Sequence, residues 1–298
     1  MRIKLLHYGE EWLQGDFEEP PSDRKRVRRF LSAWHHAVDA RRGLQLVVLE
    51  GEGAGIWDLN GKLLHYAKAI ADAAFVDDGL LCLENRVTKA AAGEGIRHAI
   101  TARSLDTFEV RRTGEVRVPH GCVERLVNDG PSGLALATWL DRELDQEKWG
   151  YVGLDARTLQ QLPWSLAWST ATPSPPAFVP GGTQVVACHT QSTYWWTDDP
   201  DAASPGGLRK VGDITVHDLA TNALATYEAL IDLPQGWRPN RPDEPEAWMS
   251  IWGPEFVDSQ RFRIWWPDES SDVLSLPLPP TIVLSRPLGT TRNTLPDP

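Results

Sequence analysis

A pattern of strand, tight turn and strand recurs five times along the 298-residue chain. In the clearest copy, residues 43–66, two apolar stretches lead to Trp57-Asp58, a turn at Asn60-Gly61 and a further strand. Asn-Gly is a strong signal for a two-residue β-hairpin turn, because both residues tolerate positive φ. One polar residue marks this turn in each copy: Asp58, Ser104, Asp155, Asp218 and Asp268.

A second turn, containing glycine, precedes each of these polar residues and separates two further apolar stretches. The glycines are Gly43, Gly79, Gly133, Gly182 and Gly253. Each repeat therefore offers four candidate strands, a to d, with the glycine turn between a and b and the polar turn between c and d. The 24 Gly and 23 Pro of the chain suit such frequent turns and disfavour a bundle of long helices.

This order of strands and the Trp57-Asp58 pair resemble the WD-repeat family of β-propellers. The resemblance covers residues 32–278, with the signature dipeptide in the first copy and only the turn pattern in the others. The Gly-His element of that family is missing. The resemblance implies an all-β fold, a ring of four-stranded antiparallel blades around a central channel.

The number of blades follows from the spacing of the repeats. Five repeats occupy residues 32–278, and the two ends together are long enough for one more blade. We therefore expect six blades, with five or seven as alternatives, in a single β-propeller domain over residues 1–298. Strands near residues 3–6 and 282–284 would close the ring. Residues 24–40 admit a strand or a short helix, because Val27, Phe30, Leu31 and Trp34 fall at helical spacing.

Charge and cysteine content limit the compartment and the partners. The formal net charge of −11 disfavours binding to the phosphate backbone of a nucleic acid. Three widely spaced cysteines without a CxxC motif fit a reducing cytoplasm rather than a disulfide framework. No signal peptide is visible, and no apolar run reaches the roughly 20 residues of a membrane helix. We expect a soluble, cytoplasmic protein that binds neither nucleic acid nor a membrane.

Variation in length is confined to two of the four kinds of connection. The a-to-b and c-to-d turns are short, whereas insertions fall between b and c or between d and the next a. These two connections lie on the same edge of an antiparallel blade, and loops on a rigid scaffold commonly carry binding. The insertions are residues 86–97, 141–148, 170–176, 197–207 and 232–246.

Fourteen tryptophans, more than all Tyr and Phe together, form two groups. Most lie in predicted strands, where a large ring fills the space between blades. Trp149, Trp196 and Trp237 lie in or beside the long connections. Because exposed aromatic residues often dominate protein-binding surfaces, these three are our candidate partner-binding residues.

Catalytic and metal motifs are missing from the sequence. There is no GxSxG, phosphate loop or GxGxxG, and none of His35, His36, His120, His189 and His217 has zinc-site spacing. The aspartates of the polar turns are expected to accept backbone hydrogen bonds rather than to catalyse. We therefore expect no cofactor, no metal and no catalytic residue.

Two functions remain open, and we favour the first. It is a non-catalytic scaffold that binds a protein partner through the long-connection edge, alone or as one subunit of a multiprotein system. The alternative is a propeller that binds a carbohydrate or another small ligand, with or without hydrolase activity through two carboxylates about 5–9.5 Å apart.

Overall fold

The protein is described from a computed structural model, in which every regular element of the described residues is a strand. The described residues are 2–7, 17–21, 30–49, 51–89, 95–119, 121–128, 132–141, 148–169, 175–190, 206–233, 251–265 and 271–284. The chain divides into two compact units, Met1–Trp168 and Ser169–Pro298. No helix in these residues is long and apolar enough to cross a membrane.

The first unit contains three blades, within which consecutive strands are neighbours in the sheet. Blade 1 comprises β3–β6, and β1 and β2 extend its sheet beyond β3. Blade 2 comprises β7–β10, and blade 3 comprises β11–β14. The strands are β1 (Arg2–His7), β2 (Phe17–Glu18), β3 (Phe30–Asp39), β4 (Leu44–Leu49), β5 (Gly53–Asp58), β6 (Leu63–Ala67), β7 (Ile70–Val76), β8 (Gly79–Lys89), β9 (Ile96–Arg103), β10 (Val110–Val118), β11 (Cys122–Asn128), β12 (Leu134–Asp141), β13 (Lys148–Asp155) and β14 (Gln161–Ser169).

Alternating apolar side chains let neighbouring blades of the first unit pack face to face. Leu46 and Ile56 of blade 1 share one buried cluster with Ala73 and Leu80 of blade 2. A second cluster joins the other face of blade 2 to blade 3. Because successive residues of a strand point to opposite faces, one strand can supply both clusters.

The second unit contains blade 4 and blade 5. Blade 4 comprises β15–β18, and β22 pairs in parallel with its outer strand β18. Blade 5 comprises β19–β21 within the described residues. One buried cluster includes Val186 and Ile214 of blade 4 and Ile251 and Phe262 beside or within blade 5. The strands are β15 (Ala177–Phe178), β16 (Gln184–Thr190), β17 (Gly207–Asp218), β18 (Ala223–Leu233), β19 (Trp252–Phe256), β20 (Arg261–Trp265), β21 (Ser271–Ser275) and β22 (Thr281–Leu284).

The all-β propeller fold is confirmed, and its five sheets form five blades, one of the alternatives left open by the sequence. The preferred number, six, required a separate blade built from both ends. Instead, β1 pairs with β3 and β22 pairs with β18, so each terminal strand extends a sheet that already exists. Residues 30–39 form a strand rather than a helix. Organisation as a single domain with a closed ring stays a prediction.

The predicted turns occur in the first four repeats, and the fifth requires a correction. Its hairpin turn lies at residues 257–260, where the backbone N–H groups of Gln260 and Arg261 donate to Asp258 Oδ1. Gly253, which we expected in that turn, lies inside β19 at a register shift, with φ of 125°. Only glycine adopts such a φ readily, so this residue marks an irregular strand rather than a turn. Asp268 lies outside the described residues.

Candidate functional site

Polar turn residues occupy one edge of each blade, which we call the short-turn edge. At the end of β5, Asp58 Oδ1 accepts the backbone N–H groups of Asn60 and Lys62, each at 2.9 Å. Asp155 Oδ1 accepts those of Arg157 and Thr158 at 2.8 and 2.9 Å. Burial alone would raise the pKa of Asp155, but these hydrogen bonds outweigh it and lower that pKa. The carboxylates act as turn formers, as predicted.

The three candidate partner-binding tryptophans have different outcomes. Trp149 is the second residue of β13, and only 2% of it is exposed. It is therefore part of the packed interior, and the expectation that it meets a partner at the surface is wrong. The charged run before it indicated a loop, but β13 already begins at Lys148. Trp196 and Trp237 lie outside the described residues, so their role stays a prediction.

A cleft of about 810 Å³ opens on the outer half of blade 2, and no motif of the sequence predicts it. Strands β8, β9 and β10 form its walls, with Ala69 of the β6–β7 connection beside them. Its lining mixes small and polar residues: Ala69, Glu84, Asn85, Ala99, Ile100, Thr101, Arg103, Val110, Thr113, Gly114 and Glu115. A concave surface of this kind, with a few converging polar groups, is the usual form of a small-ligand site.

The polar floor of the cleft is pre-organised around Glu84. Its Oε1 accepts the Thr101 hydroxyl at 2.6 Å and the Arg103 Nη2 at 2.9 Å. Arg103 Nη1 also donates to the backbone oxygen of Phe108 at 3.2 Å, and its guanidinium lies 5.4 Å from the centre of the Phe108 ring. That ring stacks on His65 at 5.2 Å. The ion pair is therefore fixed in place by neighbouring side chains.

An irregular ladder and one close approach shape the strands around this floor. The pairing of β8 with β9 is irregular between Leu83 and Val87, so Glu84 lies where the two strands separate. On β10, a methyl group at Gly114 would lie 2.8 Å from Leu159 Cβ. Glycine is therefore required at 114 by close approach of the β13–β14 turn, on the face of β10 opposite to Glu115.

Two carboxylates, Glu84 and Glu115, lie on opposite sides of β9. Glu115 pairs across the ladder with Ala99 of β9, and Glu84 belongs to β8 on the other side of that strand. Two strand spacings separate the backbones of β8 and β10 by about 10 Å, a separation from which long side chains can converge. The arrangement can bind a ligand that both donates and accepts hydrogen bonds.

The buried thiol below the cleft has no chemical role in this arrangement. Cys82 is fully buried on β8, and burial raises the pKa of its thiol to about 12. The nearby Arg103 opposes this shift only in part. Because the thiolate is the nucleophilic form, Cys82 is an inert core residue.

The histidines considered as metal ligands make separate polar contacts. His35 Nδ1 lies 2.9 Å from Asp72 Oδ1, and His189 Nε2 lies 2.7 Å from the Thr215 hydroxyl. His217 Nε2 lies 2.9 Å from the side-chain oxygen of Asn222. His120 falls outside the described residues. Within the part of the chain that the structure describes, no three His, Cys, Asp or Glu side chains are grouped to hold a metal.

Comparison with known proteins bears on the fold. No protein-family model matches the sequence. No curated protein matches it. Among solved structures, Kuenenia stuttgartiensis hydrazine synthase superposes with a TM-score of 0.55 at 11% identity, over 90% of this chain and 68% of that one. The Dos1 propeller superposes with a TM-score of 0.52 at 12% identity, over 85% of this chain and 57% of that one.

A WD40 domain is also among the similar structures. The C-terminal WD40 domain of Sif2 covers 88% of this chain at 10% identity, with a TM-score of 0.44. At such identities the likeness shows the fold alone. The likeness to the Dos1 propeller thus shows a propeller fold, and membership of the WD-repeat family is not shown.

Proposed function

We propose that the protein is a non-catalytic scaffold that binds a protein partner through the edge of its blades opposite the short-turn edge. One observation carries the proposal, namely the uneven lengths of the connections. The turns of the short-turn edge span two to six residues, and five of them are closed by an Asp side chain that accepts a backbone N–H. The connections longer than this, between β14 and β15, β16 and β17, and β18 and β19, have seven, sixteen and eighteen residues and all belong to the other edge. The connections between β8 and β9 and between β12 and β13, six residues each, lie on that edge as well.

The strand bounds define the segments that would contact the partner. With the strand bounds of the structure, these five connections are residues 90–95, 142–147, 170–176, 191–206 and 234–251. Trp196 and Trp237 belong to the two longest of these. We propose them as the aromatic anchors of the interface, because buried Trp residues contribute strongly to binding.

The experiment compares capture of the partner by matched variants. Crosslinked partners of the full chain are identified from the source cells, and the recovered partner is then titrated against the Trp196→Ala/Trp237→Ala variant. We expect affinity to fall at least about tenfold with little change in melting temperature. The control is Leu59→Ala/Leu224→Ala on the short-turn edge, where the two leucines are 53% and 45% exposed. Equal loss in the control, or unchanged affinity in the tryptophan variant, contradicts the proposal.

The cleft on blade 2 favours a second function, the binding of a small polar ligand such as a carbohydrate. The carboxylates of Glu84 and Glu115 and the guanidinium of Arg103 supply both acceptors and donors around one space. The described lining contains no Trp, so recognition there would rest on hydrogen bonds rather than on stacking. The resemblance to hydrazine synthase adds nothing to this choice, because it concerns the fold.

A ligand screen tests the second function. Neutral sugars and amino sugars are titrated against the wild-type chain and against Glu84→Gln/Glu115→Gln, with ligand-observed NMR as the readout. A binder that loses at least about tenfold in affinity in this variant, but not in Glu109→Gln at the exposed β9–β10 turn, supports the cleft. Absence of any binder among the sugars, or equal binding by all three proteins, contradicts it.

A further inference from the structure

The two-residue strand β2 is held on blade 1 by three hydrogen bonds at a single residue. The backbone N–H of Glu18 donates to the Gly61 oxygen at 2.7 Å, and Trp57 Nε1 donates to the Glu18 backbone oxygen at 3.0 Å. The backbone N–H of Leu63 donates to the Glu18 carboxylate at 3.0 Å. Every polar group of Glu18 is thereby bound by the β5–β6 hairpin.

The preceding residue fills an apolar site on the same hairpin. Phe17 is almost completely buried, and its ring meets that of Trp57 edge to face, with centroids 6.1 Å apart and an interplanar angle of 84°. The buried cluster around it draws on β3, β4, β5 and β6. Its other members are Ala33, Val47, Leu49, Trp57, Leu63 and Tyr66.

These contacts depend on the side chains of the bound segment as well as on its backbone. Any residue can make the two bonds through the Glu18 backbone, whereas the bond from the Leu63 N–H to the strand needs an acceptor side chain of suitable length. Only a large flat ring makes the edge-to-face contact with Trp57. Extended peptides are commonly recognised in this way, with main-chain bonds for affinity and side-chain sites for specificity.

The attachment of β2 to the rest of the chain is slight. Its ladder with β1 consists of Arg2 opposite Glu18 and Ile3 opposite Phe17. A strand of two residues has little stability of its own, so the contacts with blade 1 hold it in place. The contacts with the hairpin, backbone bonds together with a buried side chain, are of the kind that hold a bound peptide.

We propose that blade 1 carries a peptide-recognition slot, formed by Trp57, Gly61, Leu63 and the apolar site beneath Phe17. The slot recognises an extended segment with an aromatic residue followed by an acidic residue. Phe17–Glu18 is its internal occupant, and a protein segment with the same pattern competes for it. Because the slot lies at a short turn of blade 1, it is distinct from the partner-binding edge proposed above and does not rest on that proposal.

A peptide competition experiment tests the slot. A fluorescein-labelled peptide of residues 13–21 is titrated against the full wild-type chain and against Phe17→Ala/Glu18→Ala, with anisotropy as the readout. A tethered occupant acts at a high effective concentration, so we expect the variant to bind the peptide at least about tenfold more tightly than the wild type. Peptides carrying Phe17→Ala or Glu18→Lys should bind about tenfold more weakly than the unchanged peptide. Equal binding by the two proteins, or by all three peptides, overturns the proposal.

A milder variant protects the test against loss of folding. Glu18→Ala removes one hydrogen bond and leaves Phe17 in place. We expect hydrogen exchange at the Leu63 amide to accelerate in this variant and to slow again when excess unlabelled peptide is added. No acceleration, or no recovery with the peptide, overturns the proposal. Neither variant changes Trp196 or Trp237, so failure of the slot and failure of the partner-binding edge are separate results.

Discussion

The Nδ1 atom of His35 lies 2.9 Å from Oδ1 of Asp72, and this contact joins the first strand of blade 1 to the first strand of blade 2. The other oxygen, Oδ2, accepts the backbone N–H of Leu126 in the first strand of blade 3 at 2.5 Å. Asp72 is fully buried. One carboxyl group thus connects three consecutive blades through their first strands.

Replacement of Asp72 by Ala should destabilise the fold by about 2–4 kcal/mol, because a partly buried imidazole and a buried N–H would both lose their partner. Urea unfolding at neutral pH measures this change. Asp78→Ala is the control, since that side chain is 74% exposed and its ion pair with Arg111 spans 3.7 Å. The control should stay within about 0.5 kcal/mol of wild type. A similar loss in both variants would show that Asp72 has no special bridging role.

The lowered pKa of Asp155 predicts a pH-dependent contribution to stability. Since the folded-state pKa lies below the ordinary 3.8, the contribution is present above that value and is lost as the pH falls through the folded-state pKa. Asp155→Asn keeps an acceptor oxygen but cannot titrate. Wild type should therefore have a higher melting temperature than Asp155→Asn at pH 7, and the difference should shrink as the pH falls below 3.8 and through the folded-state pKa. A constant gap would contradict the assignment.

His189 should make the protein sensitive to acid. Burial lowers the pKa of its imidazole from 6.5 to about 3, so the unfolded chain binds a proton that the folded chain does not. Stability should therefore decline as the pH falls from about 6.5 towards 3. Across this pH range, the free energy of unfolding should change less with pH in His189→Gln than in wild type. Parallel curves for the two proteins would rule out His189 as the source.

Gly114→Ala should destabilise the protein by about 1–3 kcal/mol, because the added methyl group would overlap Leu159 Cβ. Leu159→Gly removes that carbon and provides the matched background. In a double-mutant cycle, the cost of Gly114→Ala should be smaller with Leu159→Gly than without it. An unchanged cost would show that the strain arises elsewhere.

Trp149→Ala should lower the free energy of unfolding by about 3–5 kcal/mol, since the side chain is buried in β13. Trp149→Phe keeps most of the apolar volume and should cost clearly less. Chemical denaturation of both variants measures the difference. A free energy of unfolding for Trp149→Ala close to that of wild type would show that this side chain does not pack in the interior.

The turns were predictable because their chemistry is local. Asp58, Asp155 and Asp218 accept N–H groups only two to four residues ahead, so each signal lies within one short window of sequence. In the last repeat, the predicted position of the turn was wrong for a related reason. Gly253-Pro254 has the composition of a turn, but here the glycine serves an irregular strand, and Asp258 closes the hairpin instead.

The cleft could not be predicted, because it depends on register. Glu84, Thr101 and Glu115 come from three strands, and the pairing of β8, β9 and β10 brings them together. An error of one residue in either ladder would send these side chains to the opposite face. The polar residues of β9 were a partial signal, since Thr101 and Arg103 alternate with the apolar residues Ile100 and Ala102.

The parallel pairing of β22 with β18 sets the order in which the second unit can be assembled. Each hairpin of blade 4 joins strands that adjoin in sequence, and such local contacts form early during synthesis and folding. The partner of Glu228–Ile231, by contrast, is Thr281–Leu284, about fifty residues downstream. The outer edge of β18 therefore stays uncovered until all of blade 5 has been made, and during that interval chaperones or other nascent chains can reach it.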